Sequence, residues 1–212
     1  ISQVTSTTND GSYNVPDEID ITVGFSEAVT LSAGGNLVVT LDTGGTATIS
    51  SITAASTASA TYTVGPGETS SDLSVTNISL SGGTITDAAG NSMGFFTGYT
   101  DLADSSALVI DTTVPTISAI GTGAFSWGAV LNATEDDNDG TVSVTTVGVE
   151  DGQTVTITLN GSTYTNTVSS NATTVTITAA DLQNLTDGQS YTLTADVSDA
   201  AGNAAAQVTS SS

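Results

Sequence analysis

Apolar and polar residues alternate one by one along most of this chain. Val155, Ile157 and Leu159 are spaced by Thr154, Thr156 and Thr158, and Val175 and Ile177 by Thr174, Thr176 and Thr178. Tyr191, Leu193, Ala195 and Val197 interleave with Thr192, Thr194, Asp196 and Ser198. In the first half Ile19, Ile21 and Val23 enclose Asp20 and Thr22. A period of two places one set of side chains on each face of a strand. Thr is β-branched and polar, which suits the wet face. The pattern predicts strands over 141–147, 154–160 and 191–197 in the second half. The pairs Gly34-Gly35, Gly44-Gly45 and Gly82-Gly83 mark turns, and Asn160-Gly161 between two alternating runs predicts a type I′ hairpin. Only 179–185 has the make-up of a helical turn. The chain reads as all-β.

One five-residue word is repeated. Asp87-Ala88-Ala89-Gly90-Asn91 recurs unchanged at Asp199-Ala200-Ala201-Gly202-Asn203, 112 residues later. That spacing is the size of one β-sandwich. Between the copies lies Asp111-Thr112-Thr113-Val114-Pro115-Thr116. Pro fixes its own φ and extends the residue before it, so this segment is expected to be a short, stiff connector. Two domains are expected, 1–112 and 113–212, each long enough to build a core.

Composition then narrows the chemistry. The 212 residues include no Lys, Arg, His or Cys, against 22 Asp and Glu, for a formal charge of −22. There is no imidazole, thiolate, amine or guanidinium for catalysis. Carboxylates, hydroxyls and amides remain, and these are ligands of hard cations such as Ca²⁺. Nucleic acid is excluded as a partner, because nothing basic is present to meet phosphate. No apolar run is long enough to span a bilayer. Disorder is the usual state of acidic, Ser/Thr-rich chains, but here the 37% apolar residues are patterned. The chain starts at Ile1 without a signal peptide and ends in three serines, as expected of a segment from a longer polypeptide. Without internal ion pairs, self-repulsion is relieved only by salt or bound cations, which favours an extracellular setting.

Three stretches together carry a resemblance. They are Asp17-Glu18-Ile19-Asp20-Ile21-Thr22-Val23-Gly24-Phe25-Ser26-Glu27-Ala28-Val29, the repeated Asp-Ala-Ala-Gly-Asn word, and the 111–116 connector. The second half adds Leu131-Asn132-Ala133-Thr134-Glu135 and Gly148-Val149-Glu150-Asp151-Gly152-Gln153-Thr154-Val155-Thr156. The chain resembles two tandem bacterial immunoglobulin-like (Ig-like) repeats of giant RTX-type and biofilm-associated surface adhesins. The resemblance implies two antiparallel β-sandwiches joined by a stiff linker, on a bacterial surface and exported by type I secretion. It implies a spacer that holds an adhesive tip away from the cell, with Ca²⁺ stiffening domain junctions. Unlike immunoglobulins, the chain has no Cys pair, and Trp127 precedes the second domain's strand B. Trp127 is expected as a buried packing residue near the junction, with an exposed position as the alternative. Tyr191, four residues after Asp187, fits either a tyrosine corner, whose hydroxyl bonds nearby backbone, or a plain strand start.

In such sandwiches the BC and FG loops lie where the chain enters and the AB and EF loops where it leaves. Glu150 and Asp151 (BC) and Asp199 with Asn203 (FG) would then face the linker that holds Asp111. Asp10, Asp17 and Glu18 of the first domain's AB region would approach from the other side. A Ca²⁺ with 6–8 oxygen ligands would relieve the repulsion among them. Ordinary solvated loop acids are the alternative. The run Glu135-Asp136-Asp137-Asn138-Asp139-Gly140 places Asp137 and Asp139 like EF-hand ligands, but its twelfth position is Thr146 and no helices flank it. It reads as a weak Ca²⁺ loop or half of a site completed by a following repeat.

The leading functional reading is therefore a calcium-stiffened structural extender of a surface adhesin, with neighbouring repeats of the same chain as partners. A segment of a surface layer or extracellular filament, with lateral self-association, is the second reading. A ligand-binding module using Phe95, Phe96 and Tyr99 is the third, since aromatics are otherwise sparse at 5%. An enzyme is not expected, as no carboxylate pair is singled out by spacing. The Asn-x-Ser/Thr patterns at Asn77, Asn132, Asn160, Asn171 and Asn184 are read as chance in so Ser/Thr-rich a chain.

Overall fold

The structure, a computed structural model, describes residues 1–94 and 96–211. It divides into two compact units, Ile1–Thr112 and Thr113–Ser212.

The spine of unit 1 is β3 (Glu18–Leu31), where Ile19, Ile21 and Val23 are fully buried while Asp20 and Thr22 are only half-buried. β3 pairs with β1 (Gln3–Thr5) on one edge and β6 (Ala55–Thr63) on the other, and its far end takes β9 (Ile85–Asp87). A second sheet sets β4 (Asn36–Leu41) between β5 (Thr46–Ile49) and β8 (Val75–Ser81). A third sets β10 (Leu108–Asp111) between β2 (Gly11–Tyr13) and β7 (Thr69–Ser70). Buried Val4, Ile19, Leu37, Val39, Leu73, Leu102 and Leu108 form one core between these sheets. The predicted glycine turns are present, with Gly34, Gly44 and Gly82 at positive φ in the strand connections. Among the described residues, one pairing between strands departs from the expected antiparallel pattern. After β1 leaves β3, the chain crosses to the other sheet and β2 runs parallel to β10. This crossing covers an edge of β10 that would otherwise expose its amides.

Unit 2 repeats the plan with fewer strands among the described residues. β12 (Gly140–Val147) lies between β11 (Thr116–Ile117) and β15 (Ala172–Ile177). Facing it is the sheet of β14 (Ser162–Thr167), β13 (Thr154–Leu159), β16 (Thr192–Asp196) and β17 (Val208–Ser211), in that order. The three predicted strands are found within one residue at each end. Asn160 and Gly161, at φ 49 and 84, make the predicted tight turn between β13 and β14. The predicted helical turn is α1 (Ala179–Gln183), shorter than 179–185. Thr178 caps it, accepting a bond from the Asp181 amide and donating one of 2.6 Å to the Asp181 carboxylate. The Tyr191 hydroxyl accepts the Thr186 amide at 2.6 Å, which is the tyrosine-corner arrangement.

Trp127 is buried, as expected, but at the end of unit 2 remote from the linker. Its ring stacks on Phe125 with centroids 5.2 Å apart and lies over Gly140, the first residue of β12. The 148–153 loop leaves from the other end of that strand. A Cβ on Gly140 would sit 2.4 and 2.7 Å from two indole carbons. Gly140 is there because nothing larger than hydrogen fits beneath the ring. Gly140→Ala is therefore expected to destabilise unit 2 by about 1–3 kcal/mol, the usual cost of overpacking. Calorimetry would show it as a lower unfolding midpoint, and an unchanged midpoint would mean that the indole moves aside freely.

Candidate functional site

The chain's acids are held mostly by backbone amides. The repeated five-residue word shows this most fully. At 87–91 the Asp87 carboxylate accepts the Asn91 amide at 2.8 Å, the Asn91 side-chain amide at 2.7 Å and the Ala89 amide at 2.9 Å. At 199–203 the Asp199 carboxylate accepts the Asn203 amide at 2.8 Å and its side-chain amide at 2.9 Å. In both copies the Asp amide donates to the Asn carbonyl and the Gly amide to the Asp carbonyl. Gly90 and Gly202 both stand at φ 88, where Gly is favoured. Flanking bridges match too, Thr86 with Ser92 and Ser198 with Ala204. The word thus encodes a closed acidic turn. Asp199 is 3% exposed, whereas Asp87 lies nearer the surface. The bonds from the Asn91 side chain and then from its backbone amide hold the Asp87 carboxyl below the usual carboxylate range.

The other candidate ligands are found at loop ends. Glu150 accepts the Ala200 amide at 2.8 Å, which brings it onto the turn that holds Asp199. Asp151 points elsewhere, accepting the Ser170 amide at 2.7 Å. Asp10 accepts the Ala107 amide at 2.8 Å, and Asp17 the Asn14 amide at 2.9 Å. Glu18 is exposed at the start of β3, and Asp111 is the half-buried last residue of β10. Asp137 accepts the Gln183 side-chain amide at 3.1 Å, and Asp139 the Ala179 amide at the start of α1, at 2.9 Å. Within unit 2, Glu150 is bonded to the turn that carries Asp199 and Asn203. Among the described residues no group of three or more acidic side chains is placed to hold a metal ion. Phe95 of the candidate contact loop lies outside the described residues, and Met93, Phe96 and Tyr99 pack partly buried against the unit 1 core.

Some acids that the pattern did not single out have larger structural roles. Glu68 accepts the Tyr62 hydroxyl at 2.6 Å and the Gly65 amide at 2.7 Å. Burial first, and this bond second, raise the Tyr62 hydroxyl's pKa well above its ordinary value. Asp101 accepts the Leu102 and Val75 amides at 2.7 and 3.0 Å and forms a reciprocal cap with Asp104. Its signal was available, as an acid three residues before another at the mouth of a turn.

Facing antiparallel sheets, a strand-to-strand crossing at one edge and a tyrosine corner define Ig-like β-sandwiches. No protein-family model matches the chain, and no curated protein does. Solved structures similar to it are Ig-like domains of giant ice-binding adhesins and related repeats. One is a Ca²⁺-stabilised adhesin with which an Antarctic bacterium reaches out and binds ice, at 25% identity and a TM-score of 0.47 over all of this chain. This chain spans 48% of that structure. Another is a bacterial immunoglobulin-like domain of the M. primoryensis ice-binding adhesin, 34% identical over 47% of this chain and 91% of that one, with a TM-score of 0.32. A third comes from a 1.5-MDa bacterial ice-binding adhesin, 27% identical over all of this chain and 63% of that one, with a TM-score of 0.44.

The depressed pKa of Asp87 has a definite pH signature. A carboxyl lowered by folding adds stability above its unfolded value of 3.8, and that stability is lost as pH falls through the folded value. Asp87→Asn is expected to flatten the acid limb of unit 1 stability as pH falls below the ordinary carboxyl value, measured by urea unfolding. An unchanged limb would show that the turn's bonds do not persist in solution.

Proposed function

We propose that this chain is a structural extender segment of a bacterial cell-surface or secreted adhesin, acting as a spacer and taking Ca²⁺ on its loop acids. The observation that carries the reading is the repeated closed acidic turn. Each unit holds the same turn in the same hydrogen-bond pattern, beside its own separate core. A chain built as serial copies of one fold, without basic or thiol groups, is suited to span distance.

Calcium is the finer part of the proposal. Glu150, Asp199 and Asn203 supply oxygens on one turn, and Asp151 and the linker's Asp111 would complete the set. Asp10, Asp17, Glu18, Asp137 and Asp139 are the remaining candidates. Asp10, Asp17, Asp139, Glu150, Asp151 and Asp199 already accept backbone amides, so a cation would share these oxygens or rotate them outward. The Ca²⁺-stabilised adhesin among the similar structures is in keeping with this chemistry. Extracellular calcium modules bind with Kd on the order of 10⁻⁴–10⁻³ M. At about 10 mM Ca²⁺ this would add roughly 1–3 kcal/mol per site.

Thermal unfolding in EDTA, in CaCl₂ and in MgCl₂ tests the calcium part. The midpoint is expected to rise with Ca²⁺ concentration and more than with Mg²⁺, and the rise is expected to shrink in Glu150→Gln. Equal responses to Mg²⁺ and NaCl would reduce calcium to charge screening. Ordered self-association of the purified protein would instead favour a surface layer or filament.

A further inference from the structure

Among the described residues, the buried hydroxyls of Thr146 and Thr173 in unit 2 make no hydrogen bond to another protein group. Thr146 is fully buried on β12 and Thr173 is 8% exposed on β15. Each continues an inward-facing apolar series, Val142 and Val144 before Thr146, and Val175 and Ile177 after Thr173. β12 and β15 are antiparallel with Val144 opposite Thr173, so Thr146 is the diagonal neighbour of Thr173 on the same face. Diagonal positions lie about 7–8 Å apart, with their β-carbons somewhat closer. The strand ends around them are fixed, because the Thr146 amide donates to the Asn171 carbonyl at 2.8 Å and Ile117 of β11 lies opposite Thr146.

Buried hydroxyls are almost always bonded, to protein or to ordered water. Two Thr hydroxyls at neighbouring positions of one sheet face offer two donors and their lone pairs, and a buried water needs two to four such partners. A Ca²⁺ would need 6–8 oxygens, which two hydroxyls cannot supply. An anion would find no basic side chain anywhere in the sequence. We infer that Thr146 and Thr173 together hold one structural water within the core of unit 2.

Thr146→Val, Thr173→Val and the double variant test this, because Val keeps the side-chain shape and removes the hydroxyl. Each single change is expected to lower the unfolding midpoint of unit 2, since it strands the other hydroxyl. The double change is expected to recover most of the loss. Water–amide cross-relaxation in the unchanged protein is expected to show a long-lived water at the β12 and β15 amides, absent from the double variant. Single changes that raise or leave the midpoint, and add independently, would overturn the proposal. So would a native spectrum without that water signal.

Discussion

Every carboxylate in this protein must find a hydrogen donor without the help of a cationic side chain. With 22 acids and no Lys, Arg or His, the backbone amide takes the place of the missing cation. Amides left over at strand ends and turns are the available donors, and that is where the acids sit. Some bonds are local, as in Asp17 to Asn14 and Asp101 to Leu102. Others join distant segments, as in Asp10 to Ala107, Asp139 to Ala179 and Glu150 to Ala200. A charged acceptor makes these stronger than neutral hydrogen bonds. They tie loops to sheets where disulfides or ion pairs serve in many other small domains.

The middles of the strands follow a different rule. There the amides are used by the ladder, so a side chain needs only to match one wet face and one dry face. Thr fills the wet face of β13 and β14, and Val, Ile and Leu fill the dry face of β12, β13 and β16. This division keeps like charges apart along the sheets.

Strand positions were legible because alternation is a local property. Val155 through Leu159 announces a strand whatever lies around it, and Asn160-Gly161 announces its turn. The parallel meeting of β2 with β10 was not legible, since Gly11-Ser12-Tyr13 has no pattern of its own and owes its place to an edge about 97 residues away. The candidate ligands were only half legible. A carboxylate oxygen serves a cation or an amide equally well, and every residue but Pro offers an amide. The sequence therefore marks Asp151 and Asp139 as acids in loops but cannot mark Ser170 or Ala179 as their partners. Trp127 was legible as a packing residue, but its place over Gly140, where Leu182 also approaches, is a tertiary arrangement with no local signal.

The closed Asp-Ala-Ala-Gly-Asn turn is nearly self-sufficient, because its acid, its donors and its left-handed glycine lie within five consecutive residues. A feature complete in so short a stretch needs no matching change elsewhere when its gene segment is copied. Duplication or exchange of a whole unit would carry the turn along intact. Long-range acid–amide ties such as Glu150 to Ala200 lie inside one unit and would travel with it as well. The turn is in this sense suited to recombination, because its acid and the donors that hold it are copied together.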